Sequence, residues 1–254
     1  MLAKNQYAEL SADLVDALSL ERPPVAICFA DKVPNGLAAP SSRAPAGCRF
    51  WEDATSKAFA TSAGDHSMCA IGVYTHNLEP SPAQQVDLMD AIKVFGDLGY
   101  VRQEDLPLIP VLASKPKHIL YSPLADTPLA PDVVLLFANA NQTLILTEAT
   151  QQIEGGNAPA MGRPACAVVP QVMNTGRAAL SLGCCGARAY LDLLTDSIAL
   201  FAIPGAKLDA YAERVVALAK ANAILAQFHK IRQREIGLGH SPTIQDSLRS
   251  MPVS

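Results

Sequence analysis

Six cysteines are the residues of this chain best equipped for chemistry: Cys28, Cys48, Cys69, Cys166, Cys184 and Cys185. Four of them form two spaced pairs. Cys48 and Cys69 stand 21 residues apart and Cys166 and Cys184 stand 18 apart, with 97 residues between the pairs. Each of the four adjoins glycine, proline or an expected turn, where backbone can fold around a ligand and aim amide hydrogens at bound sulfur. Four thiolates gathered in this way could bind a tetrahedral zinc ion or an iron-sulfur cluster. No C-x-x-C is present, and the spacing alone does not choose between the two metals or exclude four unrelated buried thiols. A further reading without metal makes one thiolate a nucleophile, with His66 as base and an arginine holding a carboxylate.

The adjacent pair in "SLGCCGAR" raises a separate question. A vicinal disulfide is strained and does not suit a reducing compartment. In extended backbone, neighbouring side chains point to opposite sides, so one thiol of the two is expected to face a shared site. Cys28 lies in the apolar run "VAICFA" and reads as a small core residue.

Around the four cysteines stand several candidate helpers. Gly183 and Gly186 would let main chain approach a cluster and offer it amide hydrogens. Arg163 and Arg188 could balance an anionic cluster or hold an acidic substrate. His66, three residues before Cys69, could be a proton donor or an outer partner of the site, with Asp65 capping the turn beside it. Trp51, the single tryptophan, could shield a metal or simply fill the core.

Composition narrows the rest. The net charge is -4 and half the residues are hydrophobic, with no long basic run. Nucleic acid is therefore an unexpected partner, and a sizeable core is expected. No phosphate loop, dinucleotide fingerprint, zincin helix, serine elbow or kinase signature occurs. The first 20 residues mix acids with apolar residues, unlike a secretory signal, and no stretch reaches the roughly 20 apolar residues of a membrane span. A cytoplasmic protein without a membrane partner is the expectation.

The elements that must position the thiols follow from periodicity and punctuation. Leu10, Leu14 and Leu18 predict a first helix, ended by "ERPP". "VAICFA", "HILYSPL", "DVVLLFAN" and "SIALFAIPG" read as strands. The loop over 36–47 leads into a helix expected over 48–62. Ser81 and Pro82 open a helix to about 98, Asn139 or Asn141 opens another, and the longest is expected from Lys207 to Ile236. "GRPACAVVPQVMNTG" reads as turn, apolar run, turn. Three segments, "VAICFADKVPNG", "VVLLFANANQTL" and "IALFAIPGAKLD", share a strand-to-turn form that suggests an internal repeat. The expected fold is α+β, or irregular α/β: a mixed sheet covered by helices in a single domain over 1–236, with 237–254 a tail or oligomerisation arm.

The segments "PPVAICFA", "CRFWEDA", "DHSMCAIG", "PDVVLLFANANQTL", "GRPACAVVPQV", "SLGCCGARAY" and "IALFAIPGAKL" resemble, in this order, the uncharacterised ArCR-type domain family. The resemblance runs from about residue 7 to residue 236. It implies cysteines at the positions of Cys48, Cys69, Cys166 and Cys184, with Cys185 a local addition, and it supplies no reaction. Four thiolates would satisfy a four-iron cluster completely, which favours electron transfer or a structural role over Lewis-acid chemistry at an open iron. The leading expectation is thus a 4Fe-4S protein with a redox or small-molecule-converting role. A zinc module is the alternative. Expected partners are a small anionic substrate or a redox protein, and a second copy in a homo-oligomer.

Overall fold

Alternation along the strands sorts the core into two layers. Val25 and Ile27 pack with Ile119, Tyr121, Val133, Leu135, Phe137, Leu200 and Ala202 on one side of the sheet. Ala26, Val134, Leu136, Ala138, Phe201 and Ile203 pack on the other. A period of two in side-chain direction makes this division inevitable once both faces are covered.

The computed structural model describes residues 4–40 and 44–251. Residues 41–43 of the loop expected after the first strand, and the last three of the expected tail, lie outside that range. The chain begins with α1 (Lys4–Leu18), β1 (Val25–Ala30), α2 (Arg49–Asp53), β2 (Phe59–Thr61), α3 (Ala70–Thr75), α4 (Pro82–Asp97) and β3 (His118–Pro123). It continues with β4 (Val133–Asn139), α5 (Ala140–Ile153), β5 (Ala160–Met161), α6 (Val168–Thr175), β6 (Ala179–Ser181), α7 (Cys185–Tyr190), β7 (Ile198–Pro204), α8 (Leu208–Gly237) and α9 (Ile244–Arg249). All seven strands form one sheet in the order β2-β3-β1-β4-β7-β6-β5, antiparallel except for the β5–β6 pair. This is a mixed, open α+β sheet, as the sequence predicts.

The expected caps form. Ser81 accepts from the Gln84 amide while Gln84 reaches back to the Ser81 amide, with Pro82 at the first helical position. Asn139 and Gln142 make the same reciprocal pair at α5. These bonds satisfy amides that a helix start leaves without partners.

One local reading needs correction and another needs completing. The helix expected over 48–62 ends at Asp53, and Phe59–Thr61 pairs with β3 as an edge strand. Burial of Phe59 beside Tyr121 decides this, since its side chain meets the core only from a strand. The apolar run between the two turns of "GRPACAVVPQVMNTG", left without an element type by the sequence, is helix α6, with Val168, Val169 and Val172 inward on a helical period.

The sheet order contains a twofold relation. Strands β1, β2 and β3 in one half correspond to β4, β6 and β7 in the other, because the order β2-β3-β1 is mirrored by β4-β7-β6 about the antiparallel β1–β4 pair. In each half one cysteine precedes the second strand and another follows it. Of the three repeat segments expected, β1 and β4 are equivalent by this relation; β7 instead matches β3.

Long helices cover one face. Leu14 and Leu18 of α1, Leu146 and Ala149 of α5, and Leu208, Tyr211 and Val215 of α8 pack there. The opposite face carries the short helices that bear the cysteines, with α4 packed outside α3 and tied by Gln84 to the Ala63 and His66 carbonyls.

Candidate metal centre

Three of the four cysteines hold the same local position. Cys48 precedes α2, Cys69 precedes α3 and Cys184 precedes α7, each as the residue that caps the helix start. Cys166 lies in the 3-10 turn Ala165–Ala167 that runs into α6. Cys48 and Cys166 are buried, Cys69 and Cys184 are half-buried, and Cys185 is exposed. All six thiols are free.

The four sulfurs share one electrostatic environment. Burial pushes the Cys48 thiol up, and the nearby Cys69 and Cys184 push it the same way. Burial raises Cys69 as well, with Cys184 adding to the effect. For Cys166, burial is again the largest cause, and Cys69, Cys48 and Cys184 all contribute. The fold thus brings Cys48 and Cys69 of one half together with Cys166 and Cys184 of the other. Cys185 lies outside this set. Cys28, on the opposite sheet face, is pushed up to about 12 by burial, packs with Ala60 and Leu120, and lies within hydrogen-bond reach of Thr127 and the Leu129 carbonyl.

Hydrogen-bonding groups stand near the sulfurs. The amides of Gly47 and Gly72 are directed at Cys69, and those of Cys48 and Arg49 at the Cys48 sulfur. The Thr75 hydroxyl lies near Cys166 but donates to the Gly72 carbonyl at 3.3 Å, and the Ala187 amide donates to Cys184 Sγ at 3.5 Å. Such donors favour the thiolate form that burial opposes. Two glycines make the approach possible: a Cβ on Gly72 would lie 2.9 Å from Cys69 Sγ, and one on Gly47 would lie 2.6 Å from His66 Nδ1. Gly47, Gly72 and Thr75 were not singled out from the sequence, which shows no local signal for a donor role.

Buried polar atoms without hydrogen bonds concentrate here: Trp51 Nε1, Tyr121 Oη, His66 Nδ1 and His76 Nε2. Tyr121 lies within the electrostatic reach of Cys48, Cys69 and Cys166. Its neighbour Thr61 is engaged elsewhere, with the Ile119 carbonyl at 3.3 Å and His66 Nε2 at 3.1 Å. Burial lowers His66 to about 3 and His76 to about 4, so both rings are neutral. The Thr61 hydroxyl donates to the Ile119 carbonyl and accepts from His66 Nε2–H. Nδ1 is then a bare lone pair against Gly47, where the sequence suggested a proton donor. Asp65 closes its turn by accepting from Ser62.

The remaining expected helpers are engaged in the protein itself. Arg188 donates to the carbonyls of Leu182, Leu194, Thr195 and Ile198, which ties α7 to the start of β7. With five N–H groups in all, this leaves it no fork for an acidic substrate. Arg163 donates to the Tyr100 carbonyl at 2.7 Å and lies over the Tyr100 ring. The Gly183 amide bonds Ser181 Oγ, and its α-carbon is crowded by Leu194 and Arg188. Gly186 lies in α7 against the Tyr190 ring. The donors to sulfur therefore come from other residues than Gly183 and Gly186. Arg49 emerges instead as a link between the halves: it bonds the Tyr190 carbonyl and Asp192 beyond α7, at 3.1 and 3.2 Å, from the start of α2.

Among the described residues, no three His, Cys, Asp or Glu side chains form a group that could hold a metal ion. A single zinc ion needs its sulfurs about 2.3 Å from one point. The four thiols converge more loosely than that. No helix among the described residues is long and apolar enough to cross a membrane.

Four helix-start cysteines, drawn two from each half of a mixed sheet onto one face, define a cysteine-centred α+β protein. The chain belongs to the family described as uncharacterised ArCR, whose profile matches residues 13–214. That match spans all four cysteines and the whole sheet, and it ends early in α8. No curated protein and no solved structure matches the chain.

Proposed function

We propose that this is a cytoplasmic redox protein carrying a four-iron iron-sulfur cluster on Cys48, Cys69, Cys166 and Cys184. The observation that carries the reading is the convergence of four thiols from two halves into one environment, in which the charges of Cys48, Cys69 and Cys184 act on one another and on Cys166. When bound, the cluster supplies one-electron transfer. The chain's own residues hold the thiolates, exclude water with Phe50, Trp51 and Tyr121, and present N–H and O–H groups to sulfur.

Cluster chemistry accounts for the unpartnered donors as well as for the thiols. Cluster sulfides accept hydrogen bonds, and Tyr121 Oη and Trp51 Nε1 are buried donors with nothing else to bond. A zinc ion offers no such acceptors. The nucleophile reading meets a different obstacle. A reactive cysteine needs a lowered pKa, whereas burial raises three of these thiols. A redox partner protein fits this role better than a small anionic substrate held by Arg188, because all five N–H groups of Arg188 are used internally.

Purification without air followed by iron, zinc and sulfide determination tests the proposal. The expected result is a brown protein with about four irons and four sulfides per chain. Cys184→Ser should lose the cluster and Cys185→Ser should keep it. A colourless, iron-free preparation overturns the reading, and one zinc per chain without sulfide replaces it with the zinc module.

A further inference from the structure

Helix α8 outlasts both the body it packs on and the family match. Its first turns bury Leu208, Tyr211, Ala212 and Val215 against the sheet, and the family profile ends at residue 214. Residues 220–227, "KANAILAQ", are then exposed all round for more than two turns. Ile224 and Leu225 are 52% and 53% exposed there, just before α9 folds back beside the end of α8. An isolated helical stretch of this length gains little from its own hydrogen bonds, and helices in proteins draw most of their stability from burying an apolar face. The stretch has such residues and nothing in the described chain to bury them.

Helix α4 has the converse surface. Leu88, Ile92 and Phe95 turn inward, while Val86 and Met89 are 60% and 64% exposed. Beside it runs a groove of about 400 Å³ whose lining includes Met89, Ile92, Val101 and Leu106. The charges of the two helices are complementary. Helix α4 carries Asp87, Asp90 and Asp97 against Lys93, whereas residues 220–237 carry Lys220, Lys230, Arg232 and Arg234 against Glu235. Asp97 pairs with Lys93 and Arg234 with Glu235. Asp87, Asp90, Lys220 and Lys230 remain as opposite charges on two exposed helices.

We infer that α4 and the projecting half of α8 are the two sides of one homodimer interface, the arm of each copy lying along α4 of the other with Ile224 and Leu225 in the groove. The exchange is reciprocal, so a twofold axis closes it and leaves no open end. Helix lengths agree: 16 residues of α4 and residues 220–236 of the arm each span roughly 24 Å at 1.5 Å per residue. Two arms of the same charge meet less favourably with each other than either meets α4. This proposal does not rest on the cluster.

Light scattering on full-length protein, read over a range of concentrations, tests it. The wild type should have twice the 26.9 kDa chain mass. Leu225→Glu alone and Met89→Glu alone should each weaken dimerisation at least tenfold, with circular dichroism and iron content unchanged because both side chains are exposed. Lys220→Glu with Lys230→Glu should dissociate the dimer, and adding Asp87→Lys with Asp90→Lys should restore it. A wild type that stays monomeric overturns the proposal. So does a dimer indifferent to Met89→Glu, which would mean that arms pair with arms, or a charge reversal without rescue.

Discussion

The two faces of the sheet are built to different standards of completion. On the long-helix face, the buried Tyr211 hydroxyl bonds Thr150 and Glu154 at 3.2 and 3.1 Å, and Glu154 is also held by the Ala178 amide and Lys207. On the cysteine face, the equally buried Tyr121 hydroxyl bonds nothing. Leaving a buried polar group without a partner costs on the order of 1–3 kcal/mol. Tyr121, Trp51, His66 and His76 each carry such an atom on the cysteine face, and the proposed cluster would give the Tyr121 and Trp51 donors acceptors. The long-helix side leaves Thr143 Oγ1 and Glu154 Oε2 without hydrogen bonds, whereas on the cysteine side such atoms stand on four rings around the thiols.

The sharpest break of this contrast sets one core substitution against another. Cys166→Ser should abolish iron binding while the long-helix face stays folded. Leu14→Ala, fully buried under α1, should cost about 2–5 kcal/mol in urea unfolding and leave the iron content per folded chain unchanged. If Leu14→Ala also strips the iron at equal folded fraction, the two faces are not independent.

Next in size is pH. Both buried histidines belong to the cysteine side, and burial holds His76 at about 4 against an ordinary 6.5. The unfolded chain therefore binds a proton that the folded chain refuses between these values, and stability falls as pH drops from 6.5 towards 4. Iron-free protein should lose roughly 2 kcal/mol at pH 5 through this group, at about 1.4 kcal/mol per unit. A His76→Gln variant should show a shallower slope over the same window in denaturant titrations. An unchanged slope would place the acid sensitivity elsewhere.

The smallest effect compares the two tyrosines directly. Tyr211→Phe should cost about 1 kcal/mol of stability and leave the reduction potential alone. Tyr121→Phe should leave iron-free stability nearly unchanged and lower the potential by a few tens of millivolts, the equivalent of one hydrogen bond to sulfide in a one-electron couple. Redox titration of the two variants side by side reads the difference. A potential that moves with Tyr211 but not with Tyr121 would reverse the assignment of the faces.

Much of this was legible in the residues. Leu10, Leu14 and Leu18 specify α1 by spacing, Ser81 and Asn139 specify their helix starts by capping chemistry, and the alternation in "VAICFA" specifies β1, because these are interactions between near neighbours. The short segments were not legible. "FAT" is a strand only because β3 lies beside it, and "AVVPQV" is a helix only because its valines meet the core on a helical period.

The same division runs through the site. The sequence by itself determined which thiols were available, that glycines and turns flanked them, and that no other familiar catalytic motif competed. Only the tertiary structure decided which thiols meet, because the mirrored strand order carries Cys48 and Cys69 across to Cys166 and Cys184 while alternation turns Cys28 to the opposite face. It also settled the adjacent pair in "SLGCCGAR": Cys184 caps α7 inside the shared environment, and Cys185, one residue further along, is exposed. The polar groups of Gly47, Gly72, Thr75 and Tyr121 that stand near the sulfurs are likewise tertiary facts. A main-chain amide or a lone hydroxyl has no sequence signature, and its direction is fixed only when the surrounding backbone is.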